Sequence, residues 1–286
     1  MSILANWTFD PAAVGGLAAA GALYVRADRR VRRERGGRRF PPSRRREFLA
    51  GLAVIFIALE SPIDTGSATS FSVHMVQHLL LTLVAAPLLA LGAPVTLALL
   101  SASPADRRRL SAALRSAPVR TLCRPIVAWA LFFGVLWGSH LTGLFDASLR
   151  SNGIHSLEHA AYLVTAVLFW MQIVGSDPAP RRLSHPARIL YLFFAMASMA
   201  FLGLALFSAN HVLYPTYAAV EGTAEALADQ ALGGTLMWAG GMIFIVPALA
   251  LVMLDWMRVD ERAARRMDAR LPAAPLPVSP GRSASR

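Results

Sequence analysis

The chain reads as an all-α, polytopic membrane helix bundle of seven transmembrane helices, with the N-terminus outside and the C-terminus in the cytoplasm. Three observations predict this. Of the 286 residues, 55% are hydrophobic and 16% charged, and the mean hydropathy is +0.48, a balance foreign to soluble domains. Apolar runs of roughly 20 residues recur, each long enough to cross hydrocarbon. The 28 basic residues are all arginine, and they gather between alternate apolar runs, which is a signal of topology rather than of nucleic-acid binding.

The expected spans fall at about 7–25, 47–61, 73–99, 125–145, 154–174, 188–212 and 230–257 and form one transmembrane domain over 1–257. The first lacks a preceding basic region and a small-residue cleavage site, so it is expected to persist as a helix and not to be removed as a signal peptide. The second, FLAGLAVIFIALES, is the shortest as written and must draw in Arg46, Glu47 and Pro62, which local thinning of the bilayer accommodates. In the third, Pro87, Gly92 and Pro94 predict a kink. In the seventh, Gly233-Gly234 and Gly240-Gly241 permit close helix contact. Trp7, Trp137, Trp170 and Trp256 suit the membrane interfaces.

The connections set the orientation. Segment 26–46, read as a cytoplasmic loop, carries eleven arginines; 104–124 carries six, 175–188 three and the part after Trp256 seven, against Arg150 alone on the other side. Positive charge stays inside, so the termini lie on opposite sides and the number of spans is odd. The tail 258–286 ends in LPAAPLPVSPGRSASR, which has no periodicity and reads as disordered. Cys123 is the single cysteine, so an intrachain disulfide and a CxxC pair are both excluded. Soft-metal chemistry would fall to histidine and methionine.

That topology sorts the seven histidines. His74 and His78 open the third span from outside, His155 and His159 open the fifth, and His140 and His211 lie near the outer ends of the fourth and sixth; only His185 is cytoplasmic. HMVQH and HSLEH each place two imidazoles at i and i+4, on one helix face, where they can share an ion. Spans three and five run the same way, so the two pairs lie at similar depth and predict a four-histidine site facing across the bundle. Ionisable side chains inside a membrane are functional by default. Single histidines are different: His140 and His211 are more readily interfacial residues or partners of a backbone carbonyl, and His185 is expected to be solvated.

Glu60, Gln77, Glu158, Asp229 and Gln230 could hold the second ring nitrogen of a ligand histidine. Met75 and Met237 offer thioethers in the outer halves of their helices, and His with Met but without Cys favours copper, especially Cu(I), with zinc still open. Methionines in apolar helices mostly pack, and Met196, Met199, Met242 and Met253 receive no role.

HMVQHLLLTLVAAPLLALGAP, HSLEHAAYLVTAVLFWMQI, and LYPTY followed by ADQALGGTLMW resemble, in order, the multi-spanning CtaG family of assembly factors for caa-type cytochrome c oxidases. The resemblance covers roughly residues 45 to 257. It implies a multi-pass protein of the bacterial plasma (inner) membrane, with cytochrome c oxidase subunits and the bilayer as partners, no nucleic acid, and suspected copper handling. The family's polar positions fall on His74, Gln77, His78, His155, Glu158, His159, Asp229 and Gln230.

The leading expectation is therefore a non-enzymatic assembly factor holding Cu(I) at an outer histidine layer and assisting metallation of an oxidase. A membrane copper transporter is a variant, disfavoured by the nearly unbroken apolar inner halves LVAAPLLALG and TAVLFWM. A zinc hydrolase is a second class, since HSLEH matches H-x-x-E-H, in which the glutamate is a general base; no downstream acidic ligand accompanies it. A haem protein is a third, poorly suited to an i, i+4 pair because axial ligands come from opposite haem faces.

Overall fold

The computed structural model describes residues 7–35, 40–178 and 182–268, and among these all regular structure is helical. The elements are α1 (Pro11–Arg35), α2 (Pro42–Glu60), α3 (Pro62–Ser67), α4 (Phe71–Leu79), a π-helical segment (Leu80–Ala85), α5 (Ala86–Leu91), α6 (Pro94–Ser101) and α7 (Pro104–Leu114). They continue with α8 (Ala117–Leu122), α9 (Pro125–Leu141), α10 (Leu144–Leu149), α11 (Asn152–Val174), α12 (His185–Phe207), α13 (Pro215–Glu221) and α14 (Thr223–Asp268). Proline in the first turn opens α2, α3, α6 to α9, α12 and α13, where its missing N–H costs nothing. Serine hydroxyls of Ser61, Ser70, Ser103 and Ser184 accept from backbone N–H groups at the starts of α3, α4, α7 and α12.

The expected spans fall on α1, α2, the run from α4 to α6, α9, α11, α12 and α14, but among the described residues helix length and composition qualify four stretches to cross a membrane: Phe71–Ser101, Asn152–Val174, His185–Phe207 and Thr223–Met267. α9 is apolar but only 17 residues long. α2 crowds Arg44, Arg45, Arg46, Glu47 and Glu60 into 19 residues, and the apolar part of α1 is followed at once by Arg26 and Asp28. The arginine-rich segment 26–46 is not a loop as expected. α1 runs on to Arg35 and α2 begins at Pro42, because Asp28 is fully buried and pairs with Arg32 at 2.9 Å and Arg45 at 3.4 Å, tying the two helices together. The tail likewise stays helical to Asp268, while the proline-rich end, 269–286, falls outside the described residues.

α4, the π-helical segment and α5 form the central column, in contact with α2, α11 and α14. The widened turn sits just before Pro87, which has no N–H for the Leu83 carbonyl and whose ring would crowd it in a regular α-turn. Thr82 donates to the His78 carbonyl at 2.7 Å, and the Trp170 indole of α11 donates to the Thr82 carbonyl at 2.8 Å, so the irregular backbone is satisfied. The column ends at Gly92-Ala93. Ala93 is left-handed (φ 49°), Pro94 starts α6, and Asp177 caps that helix through the N–H groups of Val95 and Thr96.

α14 is laid against two neighbours by its glycine pairs. A Cβ at Gly234 would stand 2.6 Å from the Gly203 carbonyl of α12, and one at Gly203 would stand 2.6 Å from the Gly234 carbonyl. Seven residues on, Gly241 meets Met199 of α12, while Gly233 and Gly240 face Phe71 and Leu79 of the central column.

Candidate metal centre

The helix ends that carry the histidines meet at one end of the bundle. Here the C-terminus of α9 and the N-termini of α4, α11 and α14 lie beneath three short helices, α3, α10 and α13, which are held by polar contacts. Asp229 accepts from the Ser70 hydroxyl and the Ser72 N–H, both at 3.1 Å, and so ties α14 to the start of α4. Asp146 of α10 accepts from the Thr216 N–H of α13 at 3.0 Å and pairs with Arg150. Burial works to raise the Asp146 carboxyl, but the Thr216 bonds and the Arg150 guanidinium outweigh it and hold it below its ordinary value. A depressed carboxylate stabilises the fold above its unfolded value of ~3.9 and loses that contribution as pH falls through the lower folded value. Asp146→Asn should therefore lower the melting temperature at pH 7, and its difference from the parent should shrink at about pH 3; a difference that does not change with pH would refute the linkage.

His74, His78 and His159 converge, with one ring nitrogen from each lying within 4.8 Å of the others, and all three are buried. The Nε2 atoms of His74 and His78 are 3.0 Å apart, and the His78 and His159 rings are 5.3 Å apart between centroids. His155 stands at the edge, half-buried, 4.1 Å from the His159 ring and 5.2 Å from that of His74. Three buried nitrogens, Nδ1 of His78 and Nε2 of His155 and His159, have no hydrogen-bond partner. For groups whose desolvation is unfavourable, that is an unmet demand for a proton donor or a cation.

The partner that orients His74 is Tyr217 of α13, which the sequence reading passed over. Its hydroxyl donates to the Ser67 carbonyl at 2.8 Å and lies 3.0 Å from His74 Nδ1. The hydroxyl proton is committed to Ser67, so His74 Nδ1 carries the hydrogen and Nε2 turns a lone pair into the cluster. Only the LYPTY segment in the resemblance pointed that way. Phe71, Phe145 and Tyr214 complete the aromatic wall, with the Phe145 ring 4.8 Å from His74.

Most residues expected to support the ligands are engaged elsewhere. Gln77 donates to the Ala58 carbonyl at 2.8 Å and to Asp64 at 2.9 Å; Glu60, fully buried, accepts from the Asp10 N–H at 2.8 Å; Gln230 accepts from the Leu213 N–H at 2.8 Å and donates to the carbonyls of Leu206 and His211. These, like Asp229, satisfy backbone groups at helix ends and loops and do not orient an imidazole. Glu158 is buried but faces an apolar recess with Gly134, Val135 and Gly138 on the α9 side, and the neighbouring Ser148 hydroxyl donates to the Phe145 carbonyl. His211 is exposed beside Asn210, outside the cluster. His185 is not simply solvated: it stacks on Trp256 and pairs with Asp255 at 3.0 Å, because α14 runs past it. His140 places Nδ1 2.8 Å from the Leu136 carbonyl, as a backbone-satisfied histidine does, and leaves Nε2 buried and unpartnered. Met75 and Met237 lie below the cluster, around a cavity shared with His78 and His140. A larger recess of about 490 Å³ between α9 and α12 is lined by Trp129, Trp137 and Phe201 and contains no acid, imidazole or thiol.

The cluster thus offers uncharged nitrogen donors to one cation. Among the described residues no carboxylate oxygen joins that group of ligand atoms.

The chain matches the family described as cytochrome c oxidase caa3 assembly factor (Caa3_CtaG) over residues 22–259. It is 32% identical over 272 residues to "Uncharacterized protein ML1998" of Mycobacterium leprae (strain TN), covering 92% of this chain and 41% of that one. It is also 32% identical over 276 residues to "Uncharacterized protein Mb0105" of Mycobacterium bovis, covering 93% of this chain and 42% of that one. The chain therefore spans about two-fifths of the length of these relatives. No solved structure matches it.

Proposed function

Given that the chain belongs to the caa3 cytochrome c oxidase assembly factor family, we propose that it is a seven-span membrane protein, N-terminus outside, that holds Cu(I) on His74, His78 and His159 and presents it for insertion into an oxidase subunit. The observation that carries this is the convergence of three buried imidazoles without a carboxylate. Neutral ligands leave a monovalent ion with a single positive charge to bury, whereas Zn²⁺ would bring two uncompensated charges into a low-dielectric site. The same observation weighs against the H-x-x-E-H hydrolase, whose glutamate must reach the metal-bound water; here Glu158 faces α9.

His74 is set by Tyr217 to present Nε2. Without cargo, His78 donates its Nε2 proton to that lone pair across 3.0 Å. On loading, His78 changes tautomer, carries its proton on Nδ1, and turns Nε2 to the ion, so no net proton release is required of this residue. Oxidase copper centres filled from the outer side fit a cluster placed at the outer ends of α4 and α11. The half-buried His155 at the cluster edge provides the first contact for arriving copper.

Cu(I) competition titration of the purified protein tests the binding, with an expected stoichiometry of one tightly held ion at the cluster. Reporters inserted at Gly66 and after Arg270 test the orientation; an outside signal from the second would overturn the topology. Tyr217→Phe should weaken Cu(I) by ~10–100-fold through loss of ligand orientation, as partners of metal-bound histidines do elsewhere. An unchanged affinity would remove Tyr217 from the site.

A further inference from the structure

Directly below the histidine cluster lies a small cavity of about 10 Å³, whose lining includes Met75, Met199, Met237, His78 and His140. The three methionines come from three different helices, α4, α12 and α14, and each is no more than 2% exposed. The space suits one ion or one water and nothing larger. A water would need two to four polar partners; the rest of the wall is the apolar Leu79, Phe132 and Leu136 and the hydroxyls of Thr82 and Tyr162, which are already bonded to the His78 carbonyl and to Ser139.

His140 is the second observation. Its Nδ1 lies 2.8 Å from the Leu136 carbonyl, an acceptor, so Nδ1 carries the proton and Nε2 is a lone pair. That Nε2 is buried and without a partner. Methionine in a helix core is ordinarily packing. Here three of them line one void together with the imidazole whose Nε2 is unsatisfied.

We propose that this chamber is a second soft-cation seat, in which the thioethers of Met75, Met199 and Met237 and Nε2 of His140 hold Cu(I) or Ag(I), with His78 standing between it and the histidine cluster. The inference rests on the reading above for the class of cation but not for the ligands. Uncharged sulfur and nitrogen donors select a soft monovalent ion and reject Mg²⁺ or Ca²⁺, which require oxygen. The His78 imidazole serves both positions: Nε2 faces His74 and Nδ1 is buried and unpaired. A cation can therefore pass between an all-nitrogen seat and a sulfur-rich one by exchanging ligands around one residue. Two cations side by side in this interior would repel, so the seats are alternatives for one ion.

The test is silver X-ray absorption on the full chain in detergent, loaded with one equivalent of Ag(I), in the parent, in His74→Ala/His159→Ala, and in Met75→Leu/Met199→Leu/Met237→Leu. Leucine conserves volume, and Met253→Leu, on the exposed face of α14, is the control for surface thioethers. The expected result is sulfur scattering in the parent that persists in the double histidine variant, disappears in the triple methionine variant, and survives Met253→Leu. Nitrogen-only coordination in the parent would overturn the chamber while leaving the histidine cluster standing. Sulfur scattering that survives the triple methionine variant would overturn it likewise, whereas a triple methionine variant that shows no nitrogen coordination would overturn the histidine cluster and leave the chamber standing. Should the double histidine variant not fold, Met237→Leu alone in the parent decides: unchanged sulfur scattering overturns the proposal.

Discussion

Replacing His78 with alanine should lower the Cu(I) affinity of the purified protein by well over ~100-fold, more than the loss of any orienting partner produces. His78 is the residue on which the cluster turns: its Nε2 lies 3.0 Å from that of His74, and its ring is 5.3 Å from that of His159. Its removal leaves two imidazoles on different helices, too few to replace the hydration shell of a buried ion. His159→Ala should cost a similar amount, and His155→Ala, at the half-buried edge, distinctly less. His185→Ala should leave the affinity unchanged, since that residue pairs with Asp255 on the face of α14. Competition titration with a Cu(I) chelator, with helicity checked by circular dichroism, measures all four. Equal losses for His155 and His159 would restore a four-histidine site, and near-parent affinity in His78→Ala would end the cluster as a copper site.

Gly234→Val should be the most damaging substitution in the framework. Even a methyl at this position would lie 2.6 Å from the Gly203 carbonyl of α12, and that obstacle is backbone, which cannot rotate away. Overpacking of a core costs ~1–3 kcal/mol when side chains can yield, and here two helices must part instead. Separation would also pull Met237 away from the cavity it lines and Gln230 from the Leu206 and His211 carbonyls to which it donates. The expected outcome is a sharp loss of folded protein in detergent and a lowered melting temperature, with Gly203→Val alike. Gly15→Ala, with nothing within 4 Å of the new methyl, should be neutral or slightly stabilising. A Gly234→Val protein that melts with the parent would mean that α12 and α14 do not pack as described.

Much of this molecule was legible in one dimension. Helices need only local hydrogen bonds, so apolar runs and punctuating prolines marked the helical stretches, four of which are long and apolar enough among the described residues to cross a membrane, and the i, i+4 spacing placed each histidine pair on one face. The glycine pairs of α14 were readable as a close-contact face for the same reason. Segment 26–46 was misread as a loop because arginine clusters signal topology and not chain conformation; α1 continues through them on the strength of the buried Asp28 and its ion pairs with α2.

What only the tertiary structure decided is which side chains face one another. Position in the sequence grouped Glu60, Gln77, Asp229 and Gln230 with the histidines by depth, yet each is used by a nearby backbone group at a helix end or loop, where unpaired N–H and C=O groups compete for polar side chains. Glu158 sits between two histidines in the chain and turns roughly 100° away from His159, as consecutive helical residues must. Conversely, Tyr217, Met199 and His140 reach the site from α13, α12 and α9, at separations no periodicity can detect. The sequence by itself determined helices, their order and the faces that carry nitrogen and sulfur; the rotation of each helix about its own axis, fixed by packing across the bundle, decided which of those faces became a site.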